Sequence, residues 1–419
     1  MTAAVYKLII MQALKWFLNI LLFLMNIFQE TIINEECSQV ICVFDELILL
    51  LHYAKQNIHM KLMFLSMITA YLCGNVYIFV RALQMLSSLS LGGKLALSLC
   101  YWLAAFSLVI SLFARNIEMP EFLSRGLFSI GSVWIVFTLY MVLALLATDI
   151  VRIFLPALKP YGFGIALGCT VCLLAYGYFN YKNPDINRID ITLDKPLEGG
   201  PMKVVAISDV HLGNGTRKPQ LQKFVKMINA EKPDLIVIGG DLIDNSLLPL
   251  YQQNMAEELR QLEAPMGIYL SPGNHEYISG MEECERFLKD TPIQLLRDTI
   301  VTLPNGLQIL GRDDRSNRRR TPIADLMKKA DATKPILLLD HQPYEVAKKD
   351  SLGIDIQFSG HTHHGQVWPL SLLVENMYEQ SHGYRKWTNS HVYVSSGLSL
   401  WGPPFRIGTD SDMAVLTIK

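Results

Sequence analysis

The sequence predicts two parts of different class: a multi-span α-helical membrane domain, then an α/β domain whose mixed β-sheets are flanked by helices. Three observations carry this. Charge is uneven, with 11 Lys and Arg and 8 Asp and Glu in residues 1–182 against 26 and 30 in residues 183–419. Four uncharged stretches of near bilayer-crossing length fall in the first part. In the second part, short apolar runs alternate with helix-spaced segments, the pattern of interleaved strands and helices. At 419 residues the chain is too long for one ordinary domain. We divide it into 1–59, a segment of uncertain role; 60–182, a four-helix transmembrane domain; 183–202, a linker with a first strand; and 203–419, the α/β domain.

A bilayer core takes about 20 apolar residues in helical form. Residues 62–80, 95–114, 126–148 and 161–181 contain no Asp, Glu, Lys or Arg, and short polar segments separate them. Buried helices of a soluble domain would not often supply four such runs within 120 residues. Intramembrane polar residues are Asn75 in the first span and Asp149 with Arg152, three apart and able to pair on one helix face. No Gly/Pro-broken pair of helices suggests a transporter. Residues 5–28 are apolar but interrupted by Lys7 and Lys15, and acids follow between Glu30 and Glu46. The first 59 residues are expected to form a fifth span, an interfacial helix or a signal-anchor, or else an upstream extension absent from the mature protein, because Met60-Lys61 resembles a start. Four spans put both ends on one side. Lys55, Lys61, Arg115, Arg125, Lys182 and Arg188 lie there, against Arg81, Lys94, Arg152 and Lys159 opposite, which places the C-terminal half in the cytoplasm.

Six of the seven cysteines precede residue 173, and Cys284 alone falls in the second part, so that part has no internal disulfide framework. Cys169 and Cys172 have CxxC spacing but lie in an apolar helical run, and read as membrane-helix residues. The mild acidity of residues 183–419 argues against nucleic-acid binding.

The second part opens with an alternating edge strand over 188–193 and a turn at 196–201. Buried strands are predicted at 203–207, 235–238, 266–270, 336–339 and 354–358, with closing strands at 392–394 and 413–418. Helical spacing marks 218–230, 247–262, 281–288 and 322–330. Asn305-Gly306 between 299–303 and 307–310 signals a hairpin.

The five buried strands each run into a loop of metal-ligand residue types: Asp209-x-His211, Gly240-Asp241, Gly273-Asn274-His275-Glu276, Asp340-His341 and Gly360-His361-Thr362-His363. Any one of these residues could be a satisfied core or loop residue. Five in succession point to one site at the strand C-terminal ends. The candidate ligands are Asp209, His211, Asp241, Asn274, His341, His361 and His363. Carboxylates, imidazoles and one amide oxygen suit Mn, Fe or Zn, and the absence of Cys disfavours a structural zinc. Seven ligands exceed the need of one ion and suit two divalent metal ions about 3.5–4 Å apart sharing a carboxylate.

In order and type this set resembles the calcineurin-like metallophosphoesterase superfamily over about residues 200–419. The four spans before it, and Trp401-Gly402-Pro403-Pro404 near the end, resemble its membrane-anchored bacterial YkuE-like branch. The resemblance implies a four-layer α/β sandwich and a hydrolase of phosphoric esters, a phosphodiesterase or phosphatase. It implies that Asp209, His211 and His363 bind one metal, that Asn274, His341 and His361 bind the second, and that Asp241 bridges them. Two such cations would lower the pKa of a bridging water so that hydroxide attacks phosphorus in line, and would offset charge in the transition state. His275 would protonate the leaving oxygen or stabilise the phosphorane-like charge, with Glu276 and Asp244 as orienting residues. His364 is expected to be a neighbour rather than a ligand, and His382 and His391 loop or surface residues.

Arg312, Arg315, Arg318, Arg319 and Arg320 crowd into nine residues. They read either as a solvated loop or as a phosphate clamp. Arg312, Arg315 and Arg406 are the substrate-binding candidates. Residues 368–387, with Trp368, Leu370, Leu372, Leu373 and Met377, rest on the membrane, roof an acyl-chain groove, or pack on their own domain. Because spans hold the site near the bilayer, the expected substrate is a lipid-linked phosphodiester or pyrophosphate. The expected setting is a bacterial plasma (inner) membrane, multi-pass. Two other readings stand: a hydrolase of soluble or protein substrates whose anchor serves localisation only, and a non-catalytic membrane scaffold that inherited the fold.

Overall fold

The computed structural model describes residues 58–114, 117 and 119–419, so the expectations for the chain before residue 58 lie outside it. The described chain forms two compact units. One ends at Leu72 and takes in Phe113–Glu118; the other comprises Cys73–Leu112 and Met119–Lys419, and every contact below lies within it.

Four helices come first: α1 (Ile58–Met85), α2 (Leu91–Phe113), α3 (Glu121–Phe154) and α4 (Gly162–Tyr181). All four are long and apolar enough to cross a membrane. At 34 residues, α3 spans about 50 Å and outruns a hydrocarbon core of about 30 Å. Asn75 is fully buried, its side-chain oxygen accepting from Tyr101 Oη at 3.0 Å and Trp134 Nε1 at 2.9 Å. Asp149 pairs with Arg152 at 3.3 Å as their spacing suggests, and with Arg81 at 2.8 Å, a partner on another helix. Cys73, Cys100, Cys169 and Cys172 are exposed and unbonded, while Cys284 is buried.

The remaining elements are β1 (Asp185–Ile191), β2 (Met202–Ile207), α5 (Lys218–Ala230), β3 (Leu235–Ile238), α6 (Leu248–Gln252), α7 (Met255–Leu259), β4 (Ile268–Leu270), α8 (Asn274–Ser279), α9 (Met281–Leu288), β5 (Ile293–Leu295), β6 (Thr299–Thr302), β7 (Gln308–Gly311), α10 (Ile323–Met327), β8 (Ile336–Leu339), α11 (Val346–Asp350), β9 (Ile356–Ser359), α12 (Leu370–Glu375), β10 (Gly383–Lys386), β11 (His391–Val394) and β12 (Asp412–Ile418). They build two six-stranded mixed sheets, ordered β1-β12-β2-β3-β4-β5 and β10-β11-β9-β8-β7-β6. The central strands of both are parallel.

The layers follow from the period of two along each strand. Val204, Ala206, Leu235 and Val237 of the first sheet meet Leu337, Leu339, Ile356 and Phe358 of the second. Their alternates Val205, Ile207, Ile236 and Ile238 face Leu221, Phe224 and Ile228 of α5. Leu338 and Leu310 face Ile323 and Leu326 of α10. Helix, sheet, sheet, helix is therefore the four-layer mixed-sheet sandwich, and strands buried on both faces explain the unbroken apolar runs.

Two details differ from expectation. The helix predicted over 247–262 is broken into α6 and α7 at Asn254, whose backbone is left-handed at φ 49°. His275 lies inside a helix, α8, whose first turn Gly273 caps.

The last turn of α4 is bonded into the α/β domain. Gly177 packs on Ile407, and its carbonyl accepts from Arg406 N at 2.9 Å. Asn180 Nδ2 donates to Thr409 O at 3.0 Å, and Tyr181 Oη meets Ser399 Oγ at 3.0 Å. From α3, Tyr140 Oη donates to Trp368 O at 2.7 Å. Around that bond Val136, Tyr140, Val367, Phe405 and Ile407 are buried together.

Candidate metal centre

The ligand candidates stand on unusual backbone. Asp209 (φ 53°), His211 (47°), Asp241 (52°), His361 (71°) and His363 (47°) all occupy the left-handed region. For a non-glycine residue this costs of order 1–3 kcal/mol each. Loop-to-loop hydrogen bonds hold them there: Asp209 N to Gly240 O at 3.0 Å, His211 N to Asp241 O at 3.0 Å and Gly360 N to His341 O at 2.9 Å. The glycines of the loops allow the close approach. A Cβ on Gly360 would overlap Ser208 and Asp209, and one on Gly273 would overlap Asp241.

The side chains converge as two groups. In one, His211 Nε2 and His363 Nε2 lie 3.1 Å apart, at 3.8 and 3.4 Å from Asp209 Oδ1. In the other, Asp241, His341 and His361 bring ligand atoms within 4.8 Å of one another. Asn274 Oδ1 joins this group, 3.2 Å from His341 Nε2. Asp241 Oδ2 faces both, at 3.1 Å from His341 Nε2 and 3.8 Å from His211 Nε2. All seven candidates thus share one buried site at the C-terminal ends of β2, β3, β4, β8 and β9.

Surrounding groups fix them. His341 Nδ1 donates to Gly239 O at 2.7 Å, which turns Nε2 inward. Buried Glu276 accepts from the backbone N of Gly273 (2.7 Å), Asp241 (3.0 Å) and Ile243 (3.0 Å), tying two ligand loops together. Asp244 Oδ1 lies 3.2 Å from His275 Nδ1 and 3.5 Å from His211 Nδ1. Trp401 stands beside His275, ring centroids 6.2 Å apart.

The electrostatics suit cations. Burial opposes ionisation of Asp209, yet His363 and His211 hold its carboxyl well below the usual range. Against the same burial, His341 and His275 do this for Asp241. Burial also disfavours a protonated His211, but Asp209 and Asp244 push it up to about 10, and Asp241 raises His341 in the same way. Burial, reinforced by His341 and His211 respectively, brings His361 down to about 4 and His363 to about 3. The raised imidazoles, His211 and His341, thus favour protons where a cation would offset the same carboxylates. Metal binding displaces such protons, and the donor set of carboxylate, imidazole and amide oxygen fits divalent ions.

The arginine candidates go elsewhere. Arg312 is buried against Asp340 at 2.9 Å, beside Lys349 at 2.6 Å and Arg320 at 3.5 Å from the same carboxylate. Arg406 is fully buried and donates to His363 O at 2.6 Å and to the carbonyl of Ser396. Arg406 is thus fully buried and Arg312 nearly so, each engaged by groups of the chain itself; nothing in a linear sequence marks a buried arginine. Arg315 is exposed and lies over the Tyr344 ring at 4.2 Å. Outside the seven, His364 and His382 stack at 3.4 Å between centroids, and His364 Nε2 meets Glu375 at 3.1 Å. The sequence pattern gave these residues no joint role, because 18 residues separate the two rings.

Residues 202–365 match the calcineurin-like phosphoesterase family. The chain is similar to a metallophosphoesterase of Helicobacter pylori strain J99, 33% identical over 264 residues that cover 61% of this chain and 70% of that protein. A metallophosphoesterase of Campylobacter jejuni is 28% identical over 82% of this chain and 95% of its own length, so that likeness extends into the helical part. The metallophosphoesterase YkuE of Bacillus subtilis is 28% identical, over 61% of this chain and 93% of its own.

Proposed function

Because this chain belongs to the metallophosphoesterase family, with a calcineurin-like phosphoesterase domain, we propose that its buried cluster is a two-metal centre. Asp209, His211 and His363 would hold one divalent ion, and Asn274, His341 and His361 the other, with Asp241 serving both. The observation that carries this is Asp241 Oδ2, which faces an imidazole of each group. The protein is a metal-dependent hydrolase of phosphoric esters. When bound, two divalent ions supply the charge that neutralises phosphoryl oxygens and the acidity that makes water a nucleophile near neutral pH.

The chain's own residues do the rest. Asp209 and Asp241, kept ionised by their imidazole neighbours, set the net charge of the site. Glu276 fixes the spacing of the Asp241 and Asn274 loops through three backbone bonds. His275, its Nδ1 against Asp244, delivers a proton from Nε2 to the leaving oxygen as attack proceeds in line. Trp401 stands on that side of the site.

For substrate we propose a lipid-linked phosphodiester or pyrophosphate, and for setting a multi-pass protein of a bacterial plasma membrane with its catalytic domain in the cytoplasm. The support is the bonding of α4 to residues that back the site. Arg406 joins Gly177 O to His363 O, and Ser399 joins Tyr181 to the Asp209 carbonyl. The centre is thus held close to the membrane exit of α4. The test is the full chain purified in detergent with Mn and assayed on phospholipids, lipid pyrophosphates, cyclic nucleotides and p-nitrophenyl esters. Release of head group or phosphate from a lipid is expected. Preference for water-soluble esters over every lipid would overturn the substrate assignment, and an inactive, metal-free native protein would overturn the metal centre.

A further inference from the structure

The segment following the last ligand loop carries a surface that the catalytic chemistry does not use. Trp368, Leu370, Leu372, Leu373 and Met377 are 48, 41, 48, 62 and 57% exposed. Five large exposed apolar side chains within ten residues are the composition that marks an interaction surface. The one acid on α12, Glu375, is turned to His364 at 3.1 Å rather than standing alone.

The depth of this patch can be read from two helices. Tyr140, whose hydroxyl binds Trp368 O, lies nine residues before Asp149, about 14 Å along α3. Asp149, Arg81 and Arg152 form the charged boundary at that end. Leu174, which packs on the same buried group as Val367 and Ile407, lies seven residues before Tyr181, about 10 Å along α4. With a hydrocarbon core of about 30 Å, the α4 measure puts Val367 and Trp368 about 10 Å below the boundary of the leaflet nearer the catalytic domain, and the α3 measure, taken from the opposite boundary, about 16 Å below it, so both place them inside the bilayer between that leaflet's boundary and about the midplane. The patch thus begins at the spans, through Val367 and Trp368.

We propose that residues 367–377 form a lobe embedded in that leaflet, its occupant being lipid acyl chains, and that the lobe brings the metal centre to the membrane surface so that an amphiphile reaches it laterally. Val367 follows His363 by four residues. Trp368 N donates to Ile407 O at 2.7 Å, and Gln366 Nε2 to Pro403 O at 2.5 Å, so the lobe is bonded to the loop that carries Trp401 beside His275. The lateral route rests on the lipid-substrate reading above; the insertion of the lobe does not.

The experiment uses the full chain in phosphatidylcholine–phosphatidylglycerol vesicles. The fluorescence difference between the native protein and Trp368→Phe isolates Trp368. Acyl-brominated lipid is expected to quench it and aqueous iodide to leave it unchanged; quenching by iodide alone would overturn the insertion. Separately, Leu372→Asp combined with Leu373→Asp is expected to lower kcat/KM for a vesicle-borne lipid ester at least tenfold and to leave p-nitrophenyl ester hydrolysis unaltered. An equal fall for both substrates would overturn lateral delivery. Quenched Trp368 in a native protein that turns over no lipid would sink the lipid-substrate reading while upholding the lobe.

Discussion

Two buried polar clusters meet at the end of β8, and their charges are balanced in different ways. Asp340 faces Arg312, Lys349 and Arg320, so the protein supplies all of its counter-charge. The next residue, His341, faces the other way, into a site with the carboxylates of Asp209, Asp241 and Asp244 and, among the described residues, no lysine or arginine paired with them. In the first cluster the partners of the carboxylate all belong to the chain. On the two-metal proposal the second is completed by cations from outside, with the ligand geometry kept ready for them by left-handed backbone. Neighbouring residues of similar chemistry thus serve different ends according to whether their partners are covalently part of the chain.

Predictions at four residues bear on this contrast. The largest effect belongs to the open cluster. Asp241→Ala should reduce ester hydrolysis to the level of the metal-stripped protein, with fewer than two ions per chain by elemental analysis; full activity would refute the site. His275→Ala should retain both ions while lowering kcat by about 10²–10⁴-fold, the usual worth of a general acid. Asp340→Asn tests the closed cluster. It leaves buried Arg312 and Lys349 without their counter-charge and should cost about 3–5 kcal/mol in chemical denaturation, with metal content unchanged at low temperature.

The same aspartate gives a pH signature. Burial opposes its ionisation, but Lys349 and Arg312 hold its pKa down to about 2. A depressed carboxyl contributes stability that is present above the unfolded value and lost as pH falls through the folded one. Relative to Asp340→Asn, the native protein should therefore lose about 2 kcal/mol of stability between about pH 4 and pH 2. The smallest effect is expected at Arg315. It is the one member of the three arginine candidates that is exposed, so Arg315→Ala should leave thermal stability unchanged and raise KM only if phosphate binds beside Tyr344.

Much of this architecture is legible in sequence because it is local. A ligand loop directly follows its strand, so apolar run and chemistry appear together, and Asp209, Asp241, Asn274, His341 and His361 stand out in turn. The membrane helices are legible because a span is a composition. What is not legible depends on the third dimension. Arg81 is 68 residues from Asp149, and its pairing needs the packing of α1 on α3. The helix predicted over 247–262 has an unbroken apolar pattern, and the left-handed turn at Asn254 leaves no apolar gap to reveal it. Arg312 and Arg406 look like surface cations because arginine usually is one; only the fold shows that both are enclosed.

The bonding of α4 to Arg406 has a mechanical consequence. The guanidinium of Arg406 clasps the carbonyls of His363 and Ser396, while its own backbone is pinned to Gly177. There is no slack segment along this path, so a change in the tilt of α4 is carried directly to the backbone that presents His363. A chain severed before residue 183 would uncover Ile407 and leave the Arg406 loop without the carbonyl that anchors it. The helices are therefore structural members of the catalytic unit, and bilayer thickness is a variable that belongs in any assay of its rate.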